Sequence, residues 1–354
     1  MSLDSYVTLG RSGLRVSPFC LGAMTFGAGW DWSCAPEQSE AIMNRYMELG
    51  GNFIDTANIY TRGQSEEIIG HYMNQDKSRR DRMVISTKFA ANMYPTDPNG
   101  GGAGSKNIIQ SCEQSLRRLR TDYIDLYWLH LYDPHTPIEE TMRTLEQLVQ
   151  SGKVRYIGIS DTPAWLVSRA QTIAQFRGWS PLIALQIEYN LLERSVEEEL
   201  IPMARELGLG VIPWSPLRNG MLSGKYTRST NEVEGRAKQF GMSFGDREYD
   251  LIDELIHIGN NHNTTAAAIA LAWVKLNTQV NSLLLGVRST KQLEDNLQAL
   301  DITLTEEEVS KLNSLSQPNR SFIANFINTE SSNSILQSGT TVNGVSSHSF
   351  FIHG

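Results

Sequence analysis

The chain has 354 residues, a length that one barrel of alternating strands and helices fills as readily as two smaller domains do. A hydrophobic share of 40% supplies a large core and excludes a wholly disordered chain. The net charge of −8 argues against a nucleic-acid or anionic-membrane surface, although a local basic pocket for a phosphorylated ligand survives inside that sum, so the expected partner is a small molecule.

The first ten residues carry neither the basic nor the apolar stretch of a leader. No segment offers the roughly 18 uninterrupted apolar residues that a membrane span needs, and the expected location is the cytoplasm. Cys20, Cys34 and Cys112 form an odd set without CxxC spacing, so neither a disulfide framework nor a zinc site is expected.

In chain order, Val7-Thr8-Leu9 and Leu14-Arg15-Val16 flank the turn Gly10-Arg11-Ser12-Gly13, which predicts a hairpin suited to capping the bottom of a barrel. Short apolar runs then recur, each followed by a longer stretch of helical periodicity. The predicted strands cover 19–22, 52–55, 83–88, 124–130, 154–160, 182–186, 210–214 and 282–286. Helices are predicted over 36–49, 65–73, 106–119, 137–150, 163–175 and 196–207, several opened by Ser, Thr or Pro and closed by Gly. Glu197-Glu198-Glu199 reads as the acidic first turn of the last of these.

Two stretches break the rhythm. Residues 218–245, rich in Gly, Lys and Arg, are longer than a simple turn, and long barrel loops are usually functional. Residues 317–354 are dominated by Ser, Asn, Thr and Gly and are expected to be flexible or draped over the barrel. Gly100-Gly101-Gly102-Ala103-Gly104 follows a Pro-containing loop, not a strand, and lacks GxGxxG spacing, so it is read as a floppy loop and not as a dinucleotide fingerprint. The fold class is α/β: one (β/α)8 TIM barrel over 1–316 with an N-terminal hairpin cap, then a flexible polar tail over 317–354.

Barrel chemistry sits at the C-terminal ends of the strands. Here those ends carry Asp55, Lys88, His130, Ser160, Gln186, Trp214-Ser215 and Gly286-Val287-Arg288. Taken singly, Asp55 also serves as a turn cap, Lys88 as a strand end reaching for solvent, His130 as a structural histidine and Tyr60 as a packing aromatic. Together, an acid, a lysine and an imidazole on consecutive strands converge on one axial pocket. A buried Lys beside a Tyr is expected to lower the phenol pKa from about 10 toward neutrality, with Asp keeping the Lys charged. Tyr60 then acts as a general acid and His130 bonds the carbonyl oxygen that receives the proton.

Gly51-Asn52-Phe53-Ile54-Asp55-Thr56-Ala57 with Tyr60, Ser86-Thr87-Lys88, Asp122-Tyr123-Ile124-Asp125-Leu126 leading to Leu129-His130, and Gly152-Lys153-Val154-Arg155-Tyr156-Ile157-Gly158 all point one way. Over about residues 5–316 the chain resembles the aldo-keto reductases, in the branch of aryl-alcohol dehydrogenase-like enzymes and potassium-channel β-subunits. The resemblance implies Tyr60 as proton donor, Lys88 and Asp55 as its tuning pair and His130 as carbonyl orienter. It also implies that Ser160, Asp161 and Gln186 meet a nicotinamide carboxamide while Trp214 stacks on the ring. Trp214-Ser215-Pro216-Leu217 with Gly220, Leu222, Gly224 and Lys225 is similar to the family's pyrophosphate loop, and Gly286, Arg288, Gln292, Asp295 and Asn296 to its last cofactor segment. Arg288 favours NADPH, because a guanidinium grips a 2′-phosphate, although a helix-side salt bridge is its other use.

Asp161 stands where the family usually has Asn, and an ionised Asp accepts hydrogen bonds without donating them. Its charge beside the ring would favour the oxidised cofactor. Trp30 and Trp32, in the loop after the first strand, line the substrate mouth or pack as a lid. The expected activity is reduction of an aryl or other hydrophobic aldehyde or ketone, or of a keto-sugar. The rivals are an NADPH-binding sensor with slow turnover and a Schiff-base aldolase using Lys88.

Overall fold

The computed structural model of the chain describes residues 2–230, 235–327 and 329–350. Eight strands form one sheet, every neighbouring pair parallel: β1 Phe19–Gly22, β2 Phe53–Asp55, β3 Val84–Phe89, β4 Ile124–Leu129, β5 Val154–Ser160, β6 Leu182–Glu188, β7 Gly210–Trp214 and β8 Leu283–Gly286. The order runs β8, β1, then onward to β7. The ring closes between β7 and the residues leading into β8, where Val211 N donates to Gln279 O at 3.3 Å and Asn281 N to Val211 O at 3.0 Å. The result is the (β/α)8 barrel expected from the alternation of runs, with helices between successive strands.

The period of two along a strand decides what faces the axis. Cys20, Phe53, Val84, Leu126, Trp128, Ala184 and Ile212 pack with one another as an inner cluster, and, Ile183 apart, the apolar neighbours of these residues along the strands belong to a second, larger one. Trp128 fills the barrel and is fully buried. Gly158 on β5 makes room for it, because a Cβ there would lie 2.3 Å from the indole. The hairpin of Val7–Thr8 and Arg15–Val16 closes the floor, with Leu9 and Val16 joining the inner cluster. Gly10 at its turn has φ +57° and no room for a side chain, since a Cβ would sit 2.2 Å from Ile183 O.

Strand and helix ends fall within a few residues of the sequence reading, with one exception of substance. Glu197, Glu198 and Glu199 do not form the first turn of a helix, because Ser195–Glu197 is a 3₁₀ turn and the helix is Leu200–Leu207. Glu197 is drawn into side-chain bonds instead, pairing with Arg194 at 2.9 Å and accepting from Tyr189 Oη at 2.8 Å. The Gly100–Gly104 stretch is a loop, but a pinned one. Gly102 N donates to Ala90 O at 2.8 Å and Ala103 N to Asp133 Oδ2 at 2.8 Å. The segment after 316 carries two short helices, Phe322–Ile327 and Glu330–Gln337, and a small hairpin of Thr341–Val342 and Val345–Ser346; residues 328 and 351–354 of it lie outside the described residues.

Gly158→Ala forces the new methyl into the Trp128 ring inside a closed barrel, and overpacking of this kind costs about 1–3 kcal/mol. A lowered urea midpoint with unchanged slope is the expected result, and an unchanged midpoint would show that the barrel repacks freely.

Candidate active site

The same period of two that buries Phe53, Val84, Trp128 and Ala184 points the next inward residues up the axis: Asp55, Ser86 and then Lys88, His130, Ser160 and Gln186. Lys88 is fully buried. Its ammonium bonds Asp55 Oδ2 in a salt bridge, donates to Thr56 O at 2.9 Å and donates to Tyr60 Oη at 3.1 Å. Asp55 is held in turn by Ser86 Oγ, which donates to Oδ1 at 2.6 Å, and by Gln186 Nε2 at 3.3 Å. Tyr60 sits beyond β2 at the start of a turn in which Thr61 and Arg62 have φ of 46° and 57°. A left-handed β-branched residue is strained, and Thr61 is held there by its hydroxyl, which donates to Phe26 O at 2.7 Å.

Burial works against the charge on Lys88, but attraction to Asp55 and Tyr60 more than reverses it and holds the ammonium above its usual range. An amine kept protonated is a poor nucleophile, which counts against the Schiff-base reading. The Tyr60 phenol moves opposite to the sequence expectation. Burial pushes it up, and the pull of Lys88 is offset because Asp55, bonded to that same lysine, and Asp161 push the other way. The phenol therefore keeps its proton. Burial and then the Lys88 charge push His130 down to about 3, so its ring is neutral, and His130 Nδ1 is buried with no hydrogen-bond partner among the described residues. The Tyr60 and His130 rings meet edge to face, 5.8 Å apart.

Above this group opens a cleft of about 590 Å³. Tyr60, His130, Ser160, Asp161, Gln186, Trp214, Ser215, Pro216 and Leu217 line it, with Trp30, Met24, Ile59, Leu131 and Phe240 as its apolar walls. Trp32 is buried behind Trp30, ring centroids 4.5 Å apart. Trp214 Nε1 donates to Asp161 Oδ1 at 3.0 Å, so Asp161 is tied to protein donors at the cleft wall. Gln186 likewise already donates to Asp55.

A second cavity of about 240 Å³ adjoins the first and is lined by Gly220, Lys225, Gly286, Arg288, Gln292, Asp295 and Asn296, all expected, together with Arg236, Asn219, Ser223, Thr25 and Thr265. Burial, and then the charges of Arg288 and Arg236, hold Lys225 below its usual range; burial and Arg288 do the same to Arg236. Cations that depress one another around a cavity suit a polyanion. Among the described residues Arg288 forms no salt bridge, and its backbone N donates to Gln292 Oε1 at 2.8 Å. Two expected cofactor contacts line neither cavity, nor does Trp32. Leu222 is fully buried in the core, and Gly224, with φ +81°, packs where a Cβ would lie 2.9 Å from Ala266 Cβ.

Sequence reasoning missed Ser86 and Arg236. Ser86 lies two residues before Lys88 and so shares its inward face, a signal that was available. Arg236 was one of several basic residues in the long stretch 218–245, of which 231–234 lie outside the described residues, and no local pattern singles it out.

Comparison with known proteins gives the same answer as the geometry. The model of the aldo/keto reductase family matches residues 18–317. The chain is 35% identical over 324 residues to norsolorinic acid reductase of Aspergillus flavus, covering 89% of this chain and 82% of that one. It is 37% identical to an aryl-alcohol dehydrogenase of Pestalotiopsis microspora, covering 84% and 78%, and 38% identical to an uncharacterized oxidoreductase of Bacillus subtilis, covering 88% and 95%. With an inward Asp-Lys-Tyr-His group at the mouth of a parallel barrel and this extent of likeness, the chain belongs to the aldo/keto reductase family, oxidoreductases that act on small carbonyl compounds with NAD(P)H.

Proposed function

We propose that the protein is an NADPH-dependent reductase of aryl or other hydrophobic aldehydes and ketones, with Tyr60 as the proton donor. The observation that carries this reading is the Tyr60 hydroxyl, 3.1 Å from the Lys88 ammonium and opening onto an apolar cleft beside a cavity ringed by Lys225, Arg236 and Arg288. That cavity fits the phosphates of a dinucleotide, with Arg288 and its neighbours gripping a 2′-phosphate. Ser160, Gln186 and Trp214 would hold the nicotinamide at the inner end of the cleft. When bound, NADPH supplies the hydride that reduces the carbonyl carbon.

The protein's own residues manage the proton. Tyr60 is half-buried and keeps its proton, and the Lys88 ammonium beside its oxygen stabilises the phenolate that remains once the proton has left. Asp55, fixed by Ser86 and Gln186, keeps Lys88 charged and aimed. His130, neutral and without an acceptor for Nδ1–H among the described residues, would carry its proton on Nε2 and donate it to the carbonyl oxygen where charge develops. Trp30, Leu131 and Phe240 favour a flat apolar substrate, in keeping with a relative named for aryl alcohols.

Fluorescence titration with NADPH followed by NADPH consumption on a carbonyl panel tests the reading. Binding with turnover supports it, and binding without turnover on any carbonyl favours a sensor. Tyr60→Phe is expected to lower kcat by about 10²–10⁴ with NADPH affinity retained, and turnover near wild type would remove Tyr60 from the role. Arg288→Ala is expected to raise the Kd for NADPH about tenfold or more with little change for NADH; equal weakening of both would remove its 2′-phosphate role.

His130 also leaves a mark on stability. Its folded pKa of about 3 lies below the roughly 6.5 of an unfolded His, so the unfolded chain binds a proton that the folded chain refuses. The stability that this provides is complete above about pH 6.5 and is lost as pH falls toward 3. Urea midpoints of wild type and His130→Gln are therefore expected to shift in the variant's favour between about pH 7 and pH 4, and a constant difference would show that His130 titrates normally.

A further inference from the structure

The tyrosine at the cleft is carried on an unusual piece of backbone. Three residues in a row after Tyr60 are left-handed, Thr61 at φ +46°, Arg62 at +57° and Gly63 at +94°. Glycine takes that conformation freely, but for a β-branched residue it is an outlier that its surroundings must hold in place. Thr61 is buried, and its hydroxyl donates to Phe26 O at 2.7 Å, in the loop that follows β1. The fit there is close, because a Cβ on Gly27 would lie 2.5 Å from Thr61 Oγ1. That loop is the one that brings Trp30 to the cleft, and it is closed on itself by Gly27 N to Cys34 O at 3.0 Å and Cys34 N to Thr25 O at 2.6 Å. Two more bonds join this region to the residues after the turn. Ala28 N donates to Gln64 Oε1 at 2.8 Å, and Ser65 Oγ to Ala23 O at 2.7 Å. Of these bonds, the one at Thr61 lies next to Tyr60 in the chain.

We propose that Thr61 is a positioning residue for the reduction: its hydroxyl clamps the turn of Tyr60 to the Trp30 loop and so holds the phenol oxygen at the Lys88 ammonium. The inference rests on reading Tyr60 as the proton donor. Tyr60 and Thr61 share one rigid peptide plane, so a backbone that leaves the left-handed region at Thr61 carries Tyr60 with it. Tyr60 Oη accepts from Lys88 Nζ at 3.1 Å, already near the long end of a good hydrogen bond, which leaves little slack. A misplacement of about 1 Å in a reacting group costs about 10²-fold in rate. One frame thus carries both the wall that a substrate meets and the group that protonates it.

The test compares wild type with Thr61→Val, which keeps the shape of Thr without its hydroxyl, and Thr61→Ser, which keeps the hydroxyl without the methyl. Thr61→Ala, less strained in the left-handed region, makes the same comparison should Val prevent folding. In reduction of 2-naphthaldehyde with NADPH, kcat of Thr61→Val or Thr61→Ala is expected to fall about tenfold or more, with KM and the Kd for NADPH within about threefold of wild type. Thr61→Ser is expected to recover kcat to within about threefold of wild type. An unchanged kcat without the hydroxyl, a Thr61→Ser as slow as Thr61→Val, or a Kd for NADPH weakened as much as kcat overturns the proposal. A second measurement needs no turnover: NMR of protein labelled at tyrosine Cζ, in which the Tyr60 resonance is the one lost in Tyr60→Phe. That resonance is expected to move in Thr61→Val and return in Thr61→Ser, while those of Tyr123 and Tyr189 stay in place. If wild type reduces no carbonyl, the reductase reading alone fails and the resonance still decides the role of Thr61. A Tyr60 resonance that stays put without the hydroxyl, or that moves together with all the others, overturns it.

Discussion

A salt bridge closed off from water inside the barrel sets the terms for everything around it. Lys88 and Asp55 are both fully buried, and an ion pair so placed is costly unless each remaining hydrogen-bonding position is filled. Thr56 O and Tyr60 Oη fill those of the ammonium; Ser86 and Gln186 fill those of the carboxylate. Each of these partners comes from a different strand or from the loop after β2, so the pair demands that three strands keep their register. Register and chemistry are thus one requirement.

That requirement explains the layering of the barrel. Near the floor the inward positions are apolar and the hairpin seals them; one repeat higher they are charged or polar and open to the cleft. Trp128 and Gly158 divide the two zones, the indole filling the axis directly below the polar group. The Trp128 Nε1 finds no acceptor among the described residues, a cost accepted where the barrel needs volume more than polarity.

Most of this was legible in the sequence because it follows from period and position. Runs of apolar residues marked the strands, and the residue at each strand's end marked the site. What escaped was set by distance in space or by balance of charge. The upward shift of Tyr60 comes first from burial and survives the lysine's pull because Asp55 offsets part of it, a balance that residue types alone do not weigh. Arg236 reaches the anion cavity from a long loop whose path no local pattern dictates. Asp161 was visible as a departure from the usual Asn, yet its bond to the Trp214 indole spans 53 positions and exists only in the folded barrel. The acidic run at 197–199 failed as a helix start because Arg194 and Tyr189 compete for Glu197.

The closure of the ring carries a last consequence. β7 and the segment entering β8 share a single bridge at Val211 and Val280, whereas β6 and β7 are paired along five positions. The seam is the lightest joint of the barrel, and the loops rising from either side of it, with Lys225 and Arg236 on one and Arg288 on the other, form the two halves of the anion cavity. An anion held between them acts as a clasp across the joint that the backbone leaves thin. On the proposed reading, a dinucleotide bound there would join the two sides of a seam that the backbone joins by a single bridge, and so would favour the closed barrel by mass action.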